Sequence, residues 1–115
     1  MKASADWVPG LGPLESAIMT VIWDAGQPLS VRVVRERMDY QSTDGEDAAY
    51  TTVMTVMVVL WRKGFLDRAK RPGAGRGRAW WYAARISRED HLATVIRQAL
   101  TCAPDPAAVL RRATL

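Results

Sequence analysis

A mainly α fold with a small antiparallel β-hairpin is what this sequence predicts, and three observations carry that reading. Apolar residues recur at helical spacing in separate stretches before residue 64 and after residue 86. Between those stretches two strand-like segments, FLDRAKR and RAWWYAA, flank the turn-forming PGAGRG. Charge also reverses sign along the chain: Met1 to Trp61 holds four cations and eight carboxylates, whereas Arg62 to Arg85 holds eight cations and only Asp67. At 115 residues the chain is long enough for one buried core and too short for two.

Taken in order, Pro13 opens a helix in which Leu14, Ala17, Ile18, Val21 and Ile22 share a face, and Gly26 stops it. Ser30 is placed to cap a short second helix with Val31, Val34 and Met38 facing inward. The next segment, DYQSTDGED, has turn formers and acids without an apolar period and reads as a solvated loop. A third helix runs from about Ala49 to Lys63, with Val53, Val56, Met57 and Leu60 on its inner face and Gly64 where a left-handed cap belongs. The hairpin follows, and strand alternation sets Trp81 against Trp80 and Tyr82. Ser87, Glu89 and Asp90 suit the start of a fourth helix carrying the stripe Leu92, Val95, Ile96, Ala99 and Leu100. Asp105 and Pro106 open a last short helix.

The third helix raises a question of chemistry, because Thr51, Thr52 and Thr55 crowd its first turns although threonine is a mediocre helix former. Helix, helix, loop, helix and a basic-tipped hairpin is the order of a winged helix-turn-helix, in which the third helix enters the major groove of DNA. A threonine hydroxyl donates or accepts a hydrogen bond at a base edge while its methyl packs on thymine. Tyr50, Thr51, Thr52, Thr55, Arg62, Lys63, Arg76 and Arg78 are therefore the candidate DNA-binding residues, the last two reaching phosphate or the minor groove from the hairpin tip. Taken alone, the threonines are better explained by an N-cap and an ordinary exposed turn than by base contacts. The basic hairpin at the right distance is what tips the reading to double-stranded DNA.

Other chemistries find little to work with. Cys102 and His91 are each the sole residue of their type, so no disulfide, thiolate cluster or histidine-rich metal site is expected, and no cofactor. His91 is read as an exposed helical residue and Cys102 as a small apolar one. Asp44, Glu46 and Asp47 have no convergent base or ligand, so the expectation is no enzyme. No apolar run reaches the length of about 18 to 20 residues that spans a bilayer, and the first residues lack a signal peptide's apolar stretch, which places the protein in the cytoplasm with no membrane insertion.

With those residues in view, LGPLESAIMTVIWDAGQPLSVRVVRERM, AYTTVMTVM, WRKGFLDR and GRGRAWWYAARISRED resemble the penicillinase-repressor family of bacterial transcription regulators (BlaI/MecI/CopY), over roughly Leu11 to Leu100. The resemblance implies a winged-helix DNA-binding domain at residues 1–86 and a short helical dimerisation region at 87–115. It also implies a homodimeric repressor on a partly palindromic operator, serving β-lactam resistance or a copper- or stress-responsive regulon. In the β-lactam systems of the family a membrane sensor-protease system leads to cleavage of the repressor. Three departures stand out: Val58 and Val59 replace a polar and a basic residue and are expected to pack, the acidic loop before Ala48 is longer and is expected to project away from DNA, and the C-terminus is short. The stripe from Leu92 to Leu100 is the expected dimer surface, with packing on its own domain as the alternative. A second reading keeps the fold as a protein-interaction module that docks a partner through Val58, Val59 and Trp61.

Overall fold

The computed structural model describes residues 7–40, 47–72 and 78–114, and its fold is a winged helix. Helix α1 (Pro13–Ala25) begins with a proline, whose missing N–H falls where a helix has no partner for it anyway. The Gly12 amide donates to Glu15 Oε1 at 3.1 Å, and Gly26, at φ 62°, closes the other end by donating to the Ile22 carbonyl. Strand β1 (Leu29–Ser30) is an element that periodicity could not reveal, since two residues have no period. Its Ser30 serves twice, pairing with Trp81 in the sheet and accepting the Val33 amide at 3.3 Å to cap α2 (Val31–Arg37).

Helix α3 (Tyr50–Arg62) ends in a Schellman motif. The Phe65 amide donates to the Leu60 carbonyl at 2.9 Å and the Gly64 amide to Trp61, with Gly64 at φ 88°. That reversal feeds β2 (Leu66–Pro72), which pairs antiparallel with β3 (Arg78–Ala84) in the register Arg68 to Tyr82 and Lys70 to Trp80. The sheet order is β1-β3-β2. Residues 73–77, the glycine-rich tip, and 41–46, most of the acidic loop, lie outside the described residues, so the expectations for Arg76 and for the loop's direction have no structural account here. Two further helices follow, α4 (Arg88–Cys102), capped by Ser87 Oγ accepting the Asp90 amide at 3.0 Å, and α5 (Pro106–Ala113), capped by Asp105 accepting the Ala108 amide at 3.1 Å.

One core joins these layers. Ile18, Met19 and Ile22 of α1, Val34 of α2, and Val53, Met57 and Leu60 of α3 are buried together with Leu66 and Tyr82 of the sheet. Burying each such side chain contributes about 1.5–3 kcal/mol, and the shared interior fixes how α3 is presented. Tyr82 faces inward as alternation requires, with Trp80 on the same side of β3 at the margin of the helices.

His91 departs from expectation. It is 6% exposed rather than a surface residue. Its Nε2 lies 2.7 Å from the Pro9 carbonyl oxygen, which can only accept, so Nε2 carries the proton in that contact. The ring stacks on Trp23 (centroids 6.1 Å apart) and meets the edge of Phe65 at 5.2 Å. The cause is docking of the first turn of α4 on α1: Arg88 bonds Asp24 at 2.9 Å, and Trp23 Nε1 donates to the Ile86 carbonyl at 3.0 Å. The segment Trp7 to Leu11 closes over the joint, held by the Val8 amide on Ser16 Oγ at 3.0 Å and by Trp7 Nε1 on the Leu11 carbonyl. Gly10 passes so near α4 that a Cβ would sit 3.2 Å from Val95 and 3.3 Å from His91.

Candidate nucleic-acid interface

The burial pattern of α3 decides where its polar residues go. Val53, Met57 and Leu60 point into the core, so at about 100° per residue the outward meridian carries Thr51, Thr55 and Arg62, within roughly 40° of one another. All three are exposed, as are Tyr50 and Thr52. Ala49, not a threonine, occupies the N-cap, so the hydroxyls are not consumed in capping. Thr55 Oγ1 donates to the Thr51 carbonyl at 2.9 Å, which leaves its lone pairs outward. Thr51 and Thr52 hydroxyls bond to nothing among the described residues.

Beside this helix the sheet supplies cations. Arg68 lies between two indoles, its guanidinium carbon 3.7 Å from the Trp61 ring centroid and 4.0 Å from that of Trp80, and one terminal nitrogen reaches Tyr82 Oη at 3.5 Å. Lys70 extends the series with its Nζ 5.1 Å from the Trp80 ring. Such cation–π contacts contribute about 0.5–2 kcal/mol each and hold the groups in place without neutralising them. Arg68 Nε and Trp81 Nε1 are each buried without a hydrogen-bond partner among the described residues, an arrangement that costs stability.

Thr55, Arg62, Arg68 and Lys70 border one groove between α2, α3 and the sheet. The structure thus brings the helix residues and the base of the hairpin to a common side. Arg78 pairs with Pro72 at the far end of the strands, and nothing is described of its side chain. Lys63 stands apart, bonded at 2.9 Å to Glu15 Oε2 of α1. Burial by itself raises the Glu15 carboxyl, but the Lys63 hydrogen bond, the Gly12 amide and the Lys63 charge together hold it below the usual carboxylate range. Val58 is half-buried, whereas Val59, expected to pack, stays 37% exposed in the groove wall because it falls on the outward side of α3.

The family model described as penicillinase repressor matches residues 11–112. The chain belongs to the penicillinase repressor family. Its relatives within that family include the transcriptional regulator BlaI of Mycobacterium tuberculosis, from strain CDC 1551/Oshkosh and from strain ATCC 25618/H37Rv. Each is 35% identical to this chain over 95 residues, which cover 83% of this chain and 62% of the relative. The chain therefore matches less than two thirds of the length of these curated relatives. Among the described residues of this family member no helix is long and apolar enough to cross a membrane.

Sequence reasoning named Trp61 only as part of a protein-docking surface and passed over Arg68, Lys70, Met54 and Trp80 as contributors to this one. A signal for the two cations was available: with the hairpin register fixed, Arg68 and Lys70 fall on the same side as Trp80 and Tyr82. The fold of α3 back onto that side was not readable from spacing.

Proposed function

We propose that the protein is a homodimeric, DNA-binding transcriptional repressor that recognises a partly palindromic operator. The observation that carries this reading is the row of outward hydroxyls at Thr51, Thr52 and Thr55 on a helix flanked by Arg62, Arg68 and Lys70. The Thr51 and Thr52 hydroxyls, without competing partners, and the free lone pairs of the Thr55 hydroxyl suit base edges, and the cations suit the adjoining phosphates, with Arg76 and Arg78 joining from the hairpin. Family membership supports the same role.

In this reading residues 1–86 read DNA and residues 87–115 join the subunits. Beyond His91, α4 buries no residue and α5 buries none. Of the stripe Leu92, Val95, Ile96, Ala99 and Leu100, Ile96 is 57% exposed and Ala99 is exposed, while Leu92, Val95 and Leu100 are half-buried with Val95 against Gly10, so its outer part, with the exposed Val109 and Leu110 of α5, is what a two-fold partner would cover. A regulon of β-lactam resistance or of copper or stress response, with a membrane sensor-protease acting on the repressor, is the family's pattern and is part of the proposal. Genes adjoining this one test it directly.

Operator selection from random duplex, followed by fluorescence anisotropy across a salt series, tests the DNA reading. Affinity should fall steeply with salt and exceed that for random duplex by a factor on the order of a thousand or more. A flat salt response with no preferred sequence would refute it. The exposed Val59 and Met54 favour a second reading, a module that docks a protein partner through this wall. Selection that yields no duplex, together with one stoichiometric protein partner from nuclease-treated lysate, would support that instead.

A further inference from the structure

We propose that the groove between α2, α3 and the sheet binds a small amphiphilic organic anion, a flat apolar body carrying one carboxylate- or sulfonate-like head. Its volume of about 890 Å³ lies within the range of about 300–1,000 Å³ typical of small-molecule sites. The wall contributed by the helices is apolar, with Val33, Met54, Val58 and Val59, and the opposite side presents the indole of Trp80. A flat apolar body is what such a slot can cover.

The charge of the lining selects the head group. Four cations, Arg32, Arg62, Arg68 and Lys70, border the groove against a single carboxylate, Glu36, which is itself bonded to Arg32 at 3.2 Å. Arg68 has no acidic partner among the described residues and carries an unsatisfied Nε. The backbone of DNA does not account for the whole of this surface, because a hydrated phosphodiester can pair with the cations but leaves Met54 and Val59 uncovered. Nor does an apolar protein segment, which would cover the wall and leave the cations unneutralised. Because Thr55 and Arg62 line the same groove, a bound anion competes with duplex; this consequence rests on the DNA reading, whereas the binding itself does not.

The test uses the full chain and anilinonaphthalene sulfonate as the anionic probe, with phenylnaphthylamine, the same ring system without the sulfonate, as its uncharged counterpart. Calorimetry and fluorescence should give one saturable site for the anion, with binding about tenfold weaker for the uncharged probe and for Arg68→Gln, the loss expected from one charge-assisted contact. Val59→Glu, a change at an exposed position, should abolish binding while the melting temperature stays within a few degrees. Equal binding of the uncharged probe, or binding untouched by Val59→Glu, would overturn the proposal. In a second arm the anion is titrated into the complex with selected duplex. Release of duplex at an anion midpoint that rises in step with duplex concentration supports the groove as the site, and an undisturbed complex overturns it. A chain that binds no duplex refutes the DNA reading alone, since the first arm then decides the anion site by itself.

Discussion

Replacing His91 by alanine removes the side chain on which the joint between α1, α4 and the N-terminal segment turns. Three contributions are lost. The hydrogen bond to Pro9, at 2.7 Å, is worth about 0.5–1.5 kcal/mol, and the contacts with Trp23 and Phe65 about 0.5–1.5 kcal/mol each. The ring is 6% exposed, so its removal also leaves space that the fixed helices only partly reclaim. A loss of about 2–4 kcal/mol follows, which for a domain near this size lowers the melting temperature by about 4 °C or more per kcal/mol. Scanning calorimetry measures it, and amide exchange locates it: the first turn of α4 should lose protection before α3 does. A chain lacking residues 1–10 provides the second leg of a cycle, because the two changes remove the same joint and should not add. A destabilisation under about 1 kcal/mol, or full additivity, would refute the account of His91 as the pin.

Three further outcomes are expected. Met57→Ala, at a fully buried position of α3, should cost about 2–5 kcal/mol in urea unfolding with little change in slope. Gly64→Ala should cost about 1 kcal/mol despite open space around its Cα, because φ 88° lies where a Cβ is strained, and alanine at that site should slow neither binding nor dimer formation once folded. For the Glu15–Lys63 pair the sign follows from the lowered carboxyl: its stabilisation is present above the ordinary carboxylate pKa of 4.5 and is lost as pH falls through the depressed folded value. Lys63→Met should therefore destabilise by about 0.2–1 kcal/mol at neutral pH, Lys63 being half exposed, and the gap to the unaltered chain should close in acid unfolding measured below that range.

Legibility in the sequence followed the range of the interactions involved. α1, α2 and α3 announced themselves through apolar period and through local caps, Ser30 and Gly64 among them, since a cap is decided within four residues. Which of Trp80, Trp81 and Tyr82 share a face of β3 was readable from strand alternation, but the register against β2 was not. What stayed hidden was set by contacts across the chain. β1 exists only because Leu29 and Ser30 meet Tyr82 and Trp81, and His91 is buried only because Pro9 and Trp23 come to it. On the candidate interface the threonines and Arg62 could be placed from helical geometry alone. Arg68 could not, because its position between Trp61 and Trp80 depends on how the sheet folds back on α3.

The joint at His91 also bears on how the chain assembles. Its contacts bridge 82 residues from Pro9 to His91, 64 from Asp24 to Arg88 and 63 from Trp23 to Ile86, whereas the caps of α1 to α3 span a few residues each. Closing loops of that length carries its entropy cost before any contact repays it, so the winged body should form first and the fourth helix settle late. During synthesis the segment from Trp7 to Leu11 must wait, unpinned, until the 82 positions that separate Pro9 from His91 have also left the ribosome. A nascent chain arrested before that point should accordingly hold a formed α1–α3 core beneath an N-terminal stretch still open to protease.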